Sequence, residues 1–265
     1  MVRAMPQPAS KMTSDLSTAL ITGAGDRIGA AIATKLASHG YNVIIHYRSD
    51  KDGALAVRER ILNDGGHAEI VQADLANRPD RAALIQTAGS FFGALDVLIN
   101  NASVFDPDSA WDVDEAEWDR HFAIHAEAPV FLSRDFAAQL PQGREGNIVN
   151  IIDERVLRPS PAYFSYTLSK AVLWTATQTL AQSLAPHIRV NAIGPGPVLP
   201  HSRQSEEEFQ RGVDALLLQK HADPDAIADG VIALLGMPSM TGQMLALDGG
   251  KHLDFPARRG VTPRQ

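Results

Sequence analysis

Cysteine is absent from this chain of 265 residues. That excludes disulfide staples, thiolate metal sites and a cysteine nucleophile. Aromatic residues are scarce, 6% of the chain, and no apolar run approaches the length that spans a bilayer. The first fifteen residues, Met1 to Asp15, are polar with two prolines and lack the apolar core of a secretion signal; with 257–265 they read as flexible tails. An excess of positive charge is missing too. The formal net charge of −7 argues against nucleic acid or an anionic membrane as the main partner and leaves room for a local basic pocket. The expectation is therefore a soluble, cytoplasmic protein. There is neither an internal repeat nor a low-complexity tract. With 45% hydrophobic and 21% charged residues, the chain suits one large α/β domain with a full core.

Short β-branched runs alternate with longer helical patterns from Ser17 onward, the signature of βαβ units building a parallel sheet. Strands are expected near Ala19–Ile21, Val43–Tyr47, Glu69–Ala73, Val97–Asn100, Ile148–Ile152, Arg189–Ile193 and Met244–Leu247. Seven strands imply a single Rossmann-type, doubly wound sheet, with the domain running over 16–256. Ile28, Ile32 and Leu36 give the first helix its apolar stripe, and Gly40 suits a left-handed stop. Further helices are expected over Lys51–Asn63, Arg78–Phe92, Glu115–Gln139, Pro161–Leu184 and Asp225–Leu235. The segment His201–Ala222 interrupts the alternation after a Gly-Pro-Gly-Pro run and opens at Ser205 like a capped helix. Insertions beyond a strand's carboxyl end usually shape a substrate pocket.

Directly after the first strand comes Thr22-Gly23-Ala24-Gly25-Asp26-Arg27-Ile28-Gly29, a glycine-rich turn opening a helix. Glycine lets the backbone approach a pyrophosphate, and the helix amino end offers unpaired N–H groups and partial positive charge. Gly23, Gly25, Arg27, Ile28 and Gly29 are thus candidate dinucleotide contacts. The second strand ends in His46-Tyr47-Arg48-Ser49. An NAD enzyme typically places a carboxylate there; Arg48 instead pairs with a 2′-phosphate, with Tyr47 and Ser49 beside it, so NADPH is favoured. Asp74 and Leu75 after the third strand, and Asn101, Ala102 and Ser103 after the fourth, lie at the same sheet edge and are expected to face the adenine and the cofactor backbone.

Tyr166 and Lys170 stand i,i+4 on an expected helix, so their side chains leave one face a turn apart. An ammonium near a phenol favours the phenolate, and a cationic nicotinamide beside both would push the same way, so the Tyr166 pKa is expected to be lowered. Such a tyrosine can hand a proton to a substrate atom while a hydride arrives from the other side. The bland reading of the pair, an exposed polar helix face, is overturned only by the rest of the chain.

From Thr22 to Gly250 the chain resembles the short-chain dehydrogenase/reductase family. The resemblance is carried by Thr22-Gly23-x-x-x-Arg27-Ile28-Gly29, Asp74-Leu75, Asn100-Asn101-Ala102-Ser103, Tyr166-x-x-x-Lys170, Asn191-x-x-Gly194-Pro195-Gly196, and Thr241-Gly242-Gln243 with Leu247-Asp248-Gly249-Gly250. It implies NAD(P)-linked hydride transfer, a tyrosine acid/base, a lysine on the nicotinamide ribose, cofactor contacts at Gly196 and Val198, and usually a homotetramer.

Two positions depart from the common family pattern. Asp153, thirteen residues before Tyr166, stands where serine is usual; a carboxyl group suits relaying a proton to the ring nitrogen of a C=N bond. His125 stands where most of the family has an asparagine supporting a water relay to the lysine, and imidazole can also relay protons. With Arg27 and Phe105, these departures resemble the pteridine reductase and dihydromonapterin reductase branch. That resemblance implies a pterin or folate substrate stacked between Phe105 and the nicotinamide, pro-S hydride delivery to C6, and Arg27, Ser103, Phe105, Asp153 and Tyr166 around the substrate. Two alternatives stay open: a reductase of a ketone or 3-oxoacyl substrate, in which Asp153 merely replaces serine, and a non-catalytic NADPH-sensing protein. No residue set points to a metal.

Overall fold

A computed structural model describes residues 16–200 and 204–253. The expected tails, residues 201–203 and the last three positions of the expected domain lie outside them. The strands are β1 (Thr18–Ile21), β2 (Asn42–Tyr47), β3 (His67–Gln72), β4 (Val97–Asn100), β5 (Gly146–Ile151), β6 (Ile188–Pro195) and β7 (Met244–Leu247). They form one seven-stranded sheet in the order β3-β2-β1-β4-β5-β6-β7. Every pairing is parallel. β1, β2 and β4 are buried along their whole length, which is why they read as unbroken apolar runs rather than as alternation.

The helices are α1 (Arg27–Ser38), α2 (Lys51–Asn63), α3 (Arg78–Phe92), α4 (Glu115–Phe122), α5 (Ala128–Gln139), α6 (Phe164–Leu184), α7 (Glu206–Asp214) and α8 (Pro224–Leu235). One face of the sheet packs Ile21, Ile45 and Ile99 against Ile32 and Leu36 of α1 and Val231 of α8. The other packs Leu20, Leu98 and Ile148 against Leu84 of α3 and Leu132 and Phe136 of α5. The chain reverses direction across the sheet between β1 and β4. A cleft opens beyond the carboxyl ends of the strands at such a switch point.

Three expectations are corrected in detail. The helix expected over Glu115–Gln139 is interrupted by a π-helical turn at Ala123–Glu127. Pro129 explains it: proline has no N–H to donate and its ring crowds the carbonyl four residues back, that of His125, so the helix widens there. The helix expected from Pro161 starts at Phe164, because Tyr163 adopts a left-handed backbone (φ 58, ψ 51). Strand ends also shift: β3 and β5 begin two residues before the expected Glu69 and Ile148, and β6 runs two residues past the expected Ile193. Gly40 takes the expected left-handed stop (φ 82).

Candidate active site

The glycine turn is shaped by contacts that leave no room for side chains. A Cβ on Gly29 would sit 2.2 Å from the Gly23 carbonyl oxygen and 2.6 Å from Asn101 Nδ2. Gly23 has φ 61 and lies against the Ala102 backbone. Asn101 Nδ2 donates to the carbonyls of Thr22 (2.9 Å) and Gly23 (2.8 Å), while Thr22 Oγ1 accepts from the backbone N–H groups of Asn101 and Ala102. Asn101 thus holds the turn that would meet a pyrophosphate. The N-cap of α1, Asp26, makes no side-chain capping bond, whereas α2, α3, α4, α7 and α8 are each capped by a side chain. The first-turn N–H groups of α1 therefore receive no acceptor from the Asp26 side chain. Arg27, the first residue of α1, sits at φ 48, a conformation that favours glycine. Its guanidinium donates to the Leu199 and Pro200 carbonyls.

His46 supports the turn from beneath. Gly23 N–H donates to Nδ1 (3.0 Å), which makes that nitrogen the acceptor, so Nε2–H donates to the Ala73 carbonyl (3.1 Å). Burial lowers its pKa to about 4, in keeping with a neutral ring.

The cleft holds about 900 Å³. It is lined by Gly23, Gly25, Arg27, Ile28 and Gly29 from the turn, by Tyr47, Arg48 and Ser49 from the end of β2, and by Leu75, Asn101, Ala102, Ser103 and Phe105. Asp153, Tyr166, Lys170, Gly196 and Val198 also line it, as do Arg155 and Tyr163. Arg48 and Ser49 are exposed. Two sequence candidates lie elsewhere. Asp74 lines a separate small cavity with Arg48 and Asp80, and its carboxylate accepts from Ala76 N–H. His125 lies one layer behind the wall, fully buried.

At the reacting end, Tyr166 Oη donates to Asp153 Oδ2 at 3.0 Å. Arg155 Nη1 donates to both oxygens of the same carboxylate, at 3.1 and 3.0 Å, and Arg155 N–H adds a third bond at 2.9 Å. Lys170 Nζ donates to the Ile151 carbonyl at 2.9 Å, and burial lowers its pKa to about 8. The chain's own groups act on the tyrosine in the other direction. Burial, then the Asp153 charge, push the Tyr166 phenol well above its usual range, with Arg155 opposing. Tyr166 therefore rests protonated.

Phe105 stacks on Tyr163 with ring centroids 4.2 Å apart and meets Tyr166 edge-on at 4.8 Å. His125 braces these pieces. Val104 N–H donates to its Nε2 (3.2 Å), leaving Nδ1–H to donate to Ser169 Oγ (2.9 Å), which in turn donates to the Tyr166 carbonyl (2.8 Å). Ser103 Oγ also meets Nε2 at 2.9 Å. Burial and then the Lys170 charge hold the His125 pKa well below normal. Both ring nitrogens are thus spent on the Ser103 loop and α6, a positioning role.

The sheet and the glycine turn, with the Tyr166–Lys170 pair at the cleft, agree with the family model for short chain dehydrogenases, which matches residues 17–211. The chain belongs to this family. Among solved structures of the family, a FolM alternative dihydrofolate reductase 1 from Brucella suis, in complex with NADP, is 46% identical with a TM-score of 0.88, covering 95% of this chain and 99% of that one. An angucycline C-6 ketoreductase, LanV, with bound NADP, is 32% identical with a TM-score of 0.83 over 90% of this chain and 96% of that one. A 3-oxoacyl-[acyl-carrier-protein] reductase from Staphylococcus epidermidis is 30% identical over 89% of this chain and 99% of its own length. As a member of this family of oxidoreductases, the chain is an enzyme.

Several site residues carry no signal in the sequence. Arg155 and Tyr163 have no motif. Asp108 caps α6 from a distant loop, accepting from Ser165 N–H at 3.2 Å and from the Ser165 hydroxyl. Ser165 Oγ in turn accepts from His121 Nδ1 at 2.7 Å. Asp106 and Glu117, which cluster with His121, are bridged by the Arg120 guanidinium. Gln204 and Phe209 do place α7 and its approach on the cleft wall, and Ser205 with Glu208 forms the capping box that the sequence suggested.

Proposed function

We propose that the protein is an NADPH-dependent reductase of the N5=C6 bond of a dihydropterin or dihydrofolate, working as a homotetramer in the cytoplasm. The observation that carries this reading is the carboxylate of Asp153, rather than a serine hydroxyl, bonded to Tyr166 Oη in a cleft bordered by the Phe105 ring. The 46% identity to a dihydrofolate reductase of this fold supports it. No helix among the described residues is long and apolar enough to cross a membrane.

The glycine turn, the uncapped start of α1, Arg48 and Ser49 fit a dinucleotide carrying a 2′-phosphate. NADPH, when bound, supplies the hydride. The chain's own residues do the rest. Tyr166 is protonated at rest and so gives its proton to N5, the direction that reduction needs. Lys170 charges the ribose side of the cleft, and Asp153 orients the phenol until substrate takes over its hydrogen bond. Phe105 offers a ring face for offset stacking, a face now shared with Tyr163, so substrate entry shifts that residue.

The ketone reading is favoured by the ketoreductase and 3-oxoacyl reductase relatives, which share the cofactor motifs. NADPH oxidation measured with dihydropterin, dihydrofolate and a ketone panel separates the two; turnover of ketones alone overturns the pterin reading. Asp153→Ser is expected to keep NADPH binding and lose at least tenfold in pterin turnover, and an unchanged rate would mean that the carboxylate is incidental.

A further inference from the structure

Asp153 and Tyr166 pose an electrostatic problem. When the phenol has given up its proton, its oxygen and Asp153 Oδ2 are two anions about 3.0 Å apart, the separation now spanned by their hydrogen bond. Two like charges that close do not both ionise without a compensating cation. A serine at this position would raise no such difficulty, so the residue that resolves it must be particular to a chain carrying the carboxylate.

Two cations are at hand. Lys170 Nζ lies 5.7 Å from the Tyr166 ring centroid and spends a hydrogen bond on the Ile151 carbonyl. Arg155 is bound to the carboxylate itself. Its Nη1 meets both oxygens, and its backbone N–H fixes Oδ1 from the short 3-10 turn at Glu154–Val156. The two side chains are 19% and 13% exposed, so water screens this pair little. The guanidinium carbon is 5.4 Å from the Phe105 centroid and 5.3 Å from that of Tyr163. Asp153 holds it through these hydrogen bonds, and both rings lie within cation–π distance beside it.

We propose that Arg155 is a positioning residue for the proton donor: it clamps Asp153 against Tyr166 and supplies the charge that offsets the phenolate formed when Tyr166 gives its proton to the substrate. This rests on the reductase reading above. In that step the Tyr166 O–H bond breaks and an N–H bond forms on a pterin, or an O–H bond on a ketone. The hydride of NADPH forms the C–H bond, the substrate gains two electrons, NADPH is oxidised, and solvent returns the proton to the phenolate. Arg155 exchanges no atom with the substrate.

The test is a double-mutant cycle between Arg155→Gln and Asp153→Asn, read as NADPH oxidation with whichever of dihydropterin or ketone the parent enzyme turns over. Arg155→Gln is expected to lower kcat at least tenfold with the KM for NADPH within about twofold, and to raise the solvent deuterium isotope effect on kcat. In the Asp153→Asn background, where no second anion forms, the same change is expected to cost no more than about twofold. Arg155→Lys, which keeps the charge and answers for the chance that the glutamine variant misfolds, is expected to recover most of the rate. Equal losses in both backgrounds, or a loss confined to the KM for NADPH, would overturn the proposal. Coupling seen with ketones but no pterin turnover would leave it standing and remove the pterin reading; no turnover of either substrate by the parent would remove both.

Discussion

At the residue scale the groups proposed to react are set apart by what each one touches. Tyr166 is kept protonated by burial and by Asp153, whereas Lys170 is pushed down to about 8 by burial alone, with Asp153 opposing. Its charge is therefore present below pH 8 and lost as pH rises through it. The prediction is a kcat/KM for NADPH that falls above about pH 8, and Lys170→Arg, whose guanidinium stays charged, is expected to move that fall beyond pH ~10. An unmoved limb in the pH profile would assign it to another group. Arg48 is a second residue whose role is testable alone. Exposed at the cleft mouth, it is expected to recognise the 2′-phosphate, so Arg48→Ala should raise the KM for NADPH at least tenfold more than that for NADH. Equal effects on both cofactors would refute the assignment.

At the scale of elements, the cleft depends on ties between strand ends that a pattern of apolar residues does not announce. His46 joins the end of β2 to the glycine turn and to the segment after β3, and it does so as a neutral ring. The unfolded chain protonates this histidine near 6.5, the folded one only near 4. The unfolded state thus binds more protons between those values. Stability is complete above pH 6.5 and is lost as pH falls to 4, by about 3 kcal/mol for this residue. His125, also held below its usual pKa, adds to the loss in the same direction. Denaturant unfolding of the parent and of His46→Asn across pH 4–7 checks this, the variant being expected to show the shallower slope.

The strands, the glycine turn and the Tyr166–Lys170 pair were legible because each is a local pattern: a β-branched run, a turn that excludes a Cβ, two residues one helical turn apart. Asp108 and Arg155 were not, since each acts on a partner that only folding or a short turn brings near. The π-helical turn had a signal in Pro129, whose missing N–H forbids a regular helix, but a long apolar period masks a single proline. His125 shows the limit of reading a substitution alone, because its tautomer follows from the Val104 N–H, which the sequence does not place beside it.

At the scale of the molecule, the sheet carries the glycine turn on the β1 side of the switch point and the reacting residues on the β4, β5 and α6 side, so the cleft stays intact only if α6 keeps its place. Its inner face is buried through Tyr166, Ser169, Lys170 and Leu173. Its outer face exposes Leu168 and Val172, i,i+4 apart and 36% and 42% accessible. Apolar side chains repeated on a helix surface in this way suit a helix-to-helix contact with another copy. The proposed tetramer would cover them and hold α6 from behind. Light scattering on the eluted protein is therefore expected to give four chains for the parent and a smaller species for Leu168→Glu with Val172→Glu, with the KM for NADPH little changed where the smaller species stays folded. A tetramer unaffected by both charges would place the contact on another face, and a monomeric parent would remove the assembly from the account.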